Sequence, residues 1–364
     1  MVSDQELFRA VRLYETVAVE REPRIRDFHA GRRGFLVYSV PDSKLWGNVR
    51  GAEQSLAENL TVIRGMLEAE MDALPFLEPW HGVGVYAEAF GCEVVWHDDE
   101  APSTVPAFAH VAEALQSRRR PVKDCQLMSL AMESIAYFKR RLGSAIPIVL
   151  TDTQSANDTA SLVVDACNFL LECETEPDTA HRFLSAITDW IIEFSQQQAE
   201  AIGDAWSRPG HIMNSLPGLG GISVSDDNQS FCSAGFNREF ANRYDEALGA
   251  AFGGVAIHSC GVITHVIPEF LALPHFTMVD CAGSRFCDPN PNDPAAVAEL
   301  MAGTGRILQI RCGNTVEEVD RLIAACARPE VRLVVRFAWP GDVAGATALY
   351  RHATEKLMKV YGPP

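Results

Sequence analysis

Residues 220–261 read GGISVSDDNQSFCSAGFNREFANRYDEALGAAFGGVAIHSCG. A short apolar run over 221–224 ends in Ser225, Asp226, Asp227 and Asn228. A helical pattern follows over 236–251, and a second apolar run over 255–257 ends in His258, Ser259, Cys260 and Gly261. Two short buried strands joined by a helix pair in parallel through a right-handed crossover. Each strand also delivers polar, chemically capable residues at its C-terminal end.

The same unit recurs on both sides. Apolar runs at 146–150, 276–279, 307–310 and 333–337 end, respectively, in Thr151-Asp152, Asp280-Cys281, Arg311-Cys312-Gly313-Asn314 and Ala338-Trp339-Pro340. Helical patterns cover 123–142, 160–173, 178–201, 294–302, 316–326 and 342–360. Alternating strands and helices predict a parallel sheet. A closed barrel gathers the strand ends on one face, where active sites are built. An open doubly wound sheet also collects them at one edge. The pattern favours the barrel modestly. Toward the N-terminus the chain reads as mainly helical up to about residue 73, with residues 35–40 as a possible strand. The stretch 74–91 carries Pro and Gly and reads as loop, and 93–96 as a small strand. There is no internal repeat or linker. The expectation is a TIM-type (β/α)8 barrel over 61–364, preceded by an N-terminal helical extension over 1–60.

Composition sets further bounds. With 364 residues, 47% hydrophobic and 22% charged, the chain can bury a large core as one domain. A net charge of −17 repels phosphate backbones and argues against nucleic acid as a partner. No apolar run is long enough to span a membrane, and the first twelve residues lack an apolar signal core, so a cytoplasmic location is expected. The ten cysteines follow no disulfide framework and read mostly as reduced, buried side chains. Phosphate-binding glycine loops and a Gly-x-Ser-x-Gly elbow are absent.

The sharpest chemical feature is His258-x-Cys260-Gly261. Residues two apart in an extended segment face the same way, so imidazole and thiolate can hold one ion, and that donor pair favours zinc. Catalytic zinc needs about three protein ligands. Cys281 and Cys312, at neighbouring strand ends, are both available as the third. Asp226 and Asp227, followed by Asn228, can orient a substrate or exchange a proton, although Asp and Asn are equally at home in turns and helix caps. Asp152 and Gln154 are further candidates for substrate contact. So are Trp80 and His81, whose plainer role is packing.

These segments resemble the uroporphyrinogen-decarboxylase-like superfamily. The resemblance rests on 220–228, on Phe236-Asn-Arg-Glu-Phe240 and on Phe252-Gly-Gly-Val-Ala-Ile-His258-Ser-Cys260-Gly261. It extends to Leu77-Glu-Pro-Trp-His-Gly-Val-Gly84, to 87–96 and to 146–160. It implies a TIM-type barrel. One branch comprises metal-free decarboxylases, whose N-terminal Arg-Gln-Ala-Gly-Arg motif is missing here. The other comprises zinc-dependent methyltransferases that work with corrinoid proteins, and His258 and Cys260 match their first two zinc ligands. Their last ligand, a Cys after the final strand, has no counterpart in 336–342. In the related cobalamin-independent methionine synthases a ligand follows about twenty residues after H-x-C. The likeness therefore points to Cys281, with Cys312 as alternative.

The function so implied is zinc-dependent methyl transfer between a small substrate and a corrinoid protein or thiol. Asp226 and Asp227 would be catalytic, and Trp80, His81, Asp152, Gln154 and Asn228 would contact substrate. The corrinoid would sit on a separate protein, because residues 27–32 carry only a broken Asp-x-His-x-x-Gly motif. The alternatives are a metal-free decarboxylase of uroporphyrinogen type and a non-catalytic binding barrel.

Overall fold

The computed structural model describes residues 2–362. Six parallel strands form the main sheet: β1 (Phe35–Val40), β2 (Ile222–Ser225), β3 (Val255–His258), β4 (Phe276–Ala282), β5 (Ile307–Cys312) and β6 (Arg332–Ala338). Their spatial order is β1-β6-β5-β4-β3-β2. The ring closes through short extended segments. Gln154 bridges Ser225 at the end of β2, Leu77 and Trp206 bridge Ile148, and the Asp72 amide donates to the Val37 carbonyl of β1 at 2.9 Å. This is a TIM-type β/α barrel with one side reduced to isolated bridges. Pro75, Pro79 and Pro147 flank those bridges, and a proline has no N–H to give a ladder.

β1 pairs along its length with β6, so the barrel begins at Phe35. The helical part before it is one element, α1 (Asp4–His29), and does not extend to residue 60. Ser3 and Glu6 form a capping box at its start. Arg21, buried on its inner face, donates to the carbonyls of Met66 (2.8 Å), Ala69 (2.5 Å) and Ala73 (3.0 Å). Those carbonyls end and follow the next helix, Ala52–Glu68, so one guanidinium satisfies acceptors that the helix terminus leaves open.

The strands run further than their apolar runs. β4 continues through Asp280 and Cys281, and β5 through Arg311 and Cys312. Charged side chains are tolerated there because they are paired: the fully buried Asp280 lies 3.0 Å from Arg311 Nε. No helix among the described residues is long and apolar enough to cross a membrane.

Candidate active site

His258 is the last residue of β3, and its side chain is nearly buried. Its Nδ1 lies 2.8 Å from Asp280 Oδ2 on the neighbouring strand. Burial would raise the Asp280 pKa, but Arg311 and His258 outweigh it and hold the group down to about 2. An ionised carboxylate only accepts, so Nδ1 donates to Asp280 and Nε2 is the ring nitrogen turned toward the strand end. Nε2 faces Cys260 Sγ at 3.5 Å and Asp227 Oδ1 at 3.9 Å. Asp227 Oδ1 also accepts the Cys260 amide at 2.7 Å, which ties the two loops together. The donor atoms of Asp227, His258 and Cys260 all lie within 4.8 Å of one another. One nitrogen, one sulfur and one oxygen thus converge at a strand end.

Asp280 anchors the floor beneath this group. Its second oxygen accepts from Gln309 Nε2 at 2.7 Å, and Gln309 Oε1 accepts from the Tyr38 hydroxyl at 2.9 Å. Arg311 Nε stands 3.0 Å from Asp280 Oδ2. Burial, with Asp227 nearby, pushes the Cys260 thiol up to about 11, and Arg311 works against that rise. A second buried charge cluster lies across the barrel. His211 Nδ1 meets Glu78 Oε1 at 2.5 Å, and its Nε2 is 3.7 Å from Asp152 Oδ1. Burial disfavours the imidazolium, but Asp152 and Glu78 prevail and raise its pKa to about 9. At neutral pH His211 is a buried cation.

The expected site residues divide. Asp227, His258 and Cys260 come together. Cys281 and Cys312 do not join them. Alternation along β4 turns Asp280 toward His258, so Cys281 faces the opposite side. Cys281 and Cys312 both feel the Cys326 sulfur of the outer helix Val316–Cys326, and burial raises both thiols. They belong to the layer between sheet and helices.

Asp226 is likewise fully buried, just past the end of β2. It accepts from Gln229 Nε2 at 2.9 Å and neighbours Asp158 and Asp245, and its pKa rises by burial and by Asp245. Asp158 receives the amides of Asp227 (2.7 Å) and Asn228 (3.0 Å). Asn228 turns its side chain to the Asn157 carbonyl and Ser161 Oγ. The Asp226 and Asn228 side chains thus shape the loop that carries Asp227. His81 is buried between the Val49 carbonyl and Ser134 Oγ, and burial lowers its pKa to about 4. Trp80 is also buried. Asp152 accepts from Gln154 Nε2 and Ser225 Oγ, each at 2.8 Å, and reaches the central cluster through His211. Asp280, Glu78, His211 and Arg336 are the central groups that the sequence pattern did not single out as site residues. A charge inside an apolar strand, as in Arg332–Ala338, is the signal that marks Arg336.

A model of the family "Uroporphyrinogen decarboxylase (URO-D)" matches residues 81–211. A methylated-thiol–coenzyme M methyltransferase of Methanosarcina mazei is 22% identical over 131 residues, a stretch that covers 36% of this chain and 35% of that relative. The match therefore spans about a third of the relative's length. A solved methyltransferase structure from Methanosarcina mazei shares the fold with a TM-score of 0.60 at 16% identity, covering 90% of this chain and 96% of that one. These likenesses relate residues 81–211 to the uroporphyrinogen-decarboxylase family and the barrel as a whole to the fold of a methyltransferase.

Proposed function

We propose that this chain is a methyltransferase that uses a zinc ion held by Asp227, His258 and Cys260 and moves a methyl group between a small substrate and a corrinoid protein or thiol. The observation that carries this reading is the convergent N, S and O donor set, with His258 already oriented by Asp280. A carboxylate behind a ligating histidine is the usual way a protein sets its tautomer and direction. Three protein donors leave a position for the reacting molecule, as catalytic zinc requires. Bound there, zinc supplies Lewis acidity, which lowers the pKa of a coordinated thiol or polarises a leaving group.

The chain's own groups prepare that chemistry. Asp280 keeps the proton on Nδ1. Arg311 favours the Cys260 thiolate. Asp158 holds the Asp227 loop by two backbone amides, and Asp227 in turn holds the Cys260 amide. The corrinoid would arrive on a separate protein at the barrel mouth. Residues 27–32 supply no site of their own. Asp27 accepts from Arg32, and His29 is half-buried at the end of α1, where desolvation lowers its pKa to about 4.

The test incubates zinc-loaded protein with methylcobalamin and a small thiol and follows the visible spectrum of the cobalt cofactor. Demethylation that falls at least about 100-fold in a His258→Ala, Cys260→Ala double variant is expected. Equal rates in the two proteins would remove the reading.

A further inference from the structure

Beyond Trp206 the chain turns into the barrel. Gly210 adopts φ +115°, a conformation that suits glycine, and leads into His211. The next carbonyl, of Ile212, accepts from the Tyr38 hydroxyl at 2.9 Å and from Gln309 Nε2 at 3.0 Å, which pins the segment inside. The two ring nitrogens of His211 are then placed differently. Nδ1 is committed to Glu78 Oε1 at 2.5 Å, and Glu78 Oε2 accepts from Trp46 Nε1 at 3.0 Å. Nε2 lies 3.7 Å from Asp152 Oδ1, beyond hydrogen-bonding distance, and both oxygens of Asp152 already accept, from Ser225 Oγ and Gln154 Nε2. Asp152 thus supplies charge without taking the Nε2–H. The side chain keeps 11% exposure, and Nε2 is not sealed from solvent. Ser225 is the register neighbour of His258, so the groups between His211 Nε2 and the donor set are Asp152 and Ser225. Carboxylates crowd this floor: Glu78 and Asp152 beside His211, Asp280 and Asp227 beside His258. Arg336 acts on both His211 and Asp280, and Arg311 on Asp280. An alkoxide or thiolate released here meets like charge on several sides unless it is protonated. A guanidinium does not give up a proton, whereas an imidazolium does.

We propose that His211 is the proton donor of this site, its Nε2–H protonating the oxygen or sulfur from which a methyl group leaves. This role rests on the proposed methyl transfer and adds a substrate class to it: methyl ethers and thioethers, whose leaving group must gain a proton. The carbon–heteroatom bond breaks with its electron pair left on the heteroatom. The methyl carbon bonds to the electron pair of the corrinoid cobalt(I), and the heteroatom takes the Nε2 proton. His211 regains a proton from solvent through the same open side. Glu78 is the positioning residue, because it fixes the ring by Nδ1 and so aims Nε2. Burial and Arg336 oppose the imidazolium, but Asp152 and Glu78 prevail and raise its pKa to about 9, so the donor is loaded at neutral pH.

The experiment has two readouts. In zinc-free wild type, heteronuclear NMR follows the His211 ring, which is expected to be charged at neutral pH, with Nδ1–H protected and Nε2–H exchanging with solvent. Glu78→Gln should titrate at lower pH. A neutral ring, or a protected Nε2–H, would overturn the assignment whatever the activity. In zinc-loaded protein, cob(I)alamin is offered two methyl donors of similar shape. Methoxybenzene must leave as phenol, whereas N,N,N-trimethylanilinium leaves as a neutral amine and needs no proton. His211→Gln is expected to slow the first at least about 100-fold, and at least about thirtyfold more than the second. Thermal unfolding checks that the variants fold, and the wild-type NMR result stands if one does not. Equal losses with both donors would make His211 a structural residue and overturn the proposal. Methoxybenzene turnover that survives in His211→Gln would also overturn it while leaving methyl transfer standing. Wild type that demethylates neither donor would count against methyl transfer itself, and the proton donor would fall with it.

Discussion

Replacing Asp280 by Asn leaves the shape of the barrel floor and removes one charge that serves three neighbours. His258 loses a strong acceptor at 2.8 Å, Gln309 one at 2.7 Å, and Arg311 its counter-ion at 3.0 Å. Two effects follow. Loss of a carboxylate behind a metal-binding histidine typically weakens metal affinity by about 10–100-fold, and zinc competition against a chromophoric chelator reads this directly. The second effect is on stability. The carboxyl pKa falls from its ordinary 3.8 to about 2 on folding, a contribution on the order of 2 kcal/mol. Because the folded value is the lower one, that contribution is fully present above about pH 4 and fades as pH falls toward 2. Urea unfolding of zinc-free protein across this window should show the fade in wild type and a flatter profile in Asp280→Asn. Zinc affinity within twofold of wild type, together with an unchanged acid profile, would refute the assigned role of Asp280.

Two further outcomes test the surroundings. Asp245 is buried beside Asp158 and Asp226, and burial followed by the Asp158 charge raises its pKa to about 8. Its folded value lies above the unfolded one, so the stability it contributes is present at low pH and is lost as pH rises through about 8. Asp245→Asn should flatten that loss between pH 5 and 8 in chemical unfolding, and a slope equal to wild type would contradict the raised pKa of Asp245. Cys281→Ser should keep zinc content unchanged while costing about 1–2 kcal/mol, because a hydroxyl replaces a sulfur in an apolar layer. Loss of zinc from that variant would mean that the strand parity has been misassigned.

The fold was legible where strands are both short and apolar. Residues 221–224, 255–257, 307–310 and 333–337 all lie within or at the edge of strands of the main sheet, and Val316–Cys326 is a helix with those bounds. The helical pattern over 160–173 proves to be two helices, because Asp165 caps the Asn168 amide and starts a new one. The run at 146–150 gives two isolated bridges at Ile148 instead of a strand, with Pro147 inside it. Strand ends were read one to three residues early, since the first polar side chain looks like a terminus. The expected third ligand, Cys281, comes from the separation of about twenty residues in a resembling family, which carries no information on strand parity. With Asp280 and Cys281 taken as an irregular strand end, Cys281 is free to reach His258. Once both lie within β4, alternation gives that face to Asp280 and the third donor position to Asp227, two strands away. His258 and Cys260 needed no such information, because their spacing alone sets them on one side.

The central claim is the donor set, and zinc K-edge absorption on the zinc-loaded protein counts its sulfurs. Asp227, His258 and Cys260 predict one sulfur near about 2.3 Å, with the rest of the shell made of nitrogen and oxygen at about 2.0–2.2 Å. That spectrum should persist in Cys281→Ser and change in Asp227→Ala. Two sulfurs in the first shell, or a protein that retains no zinc, would contradict it.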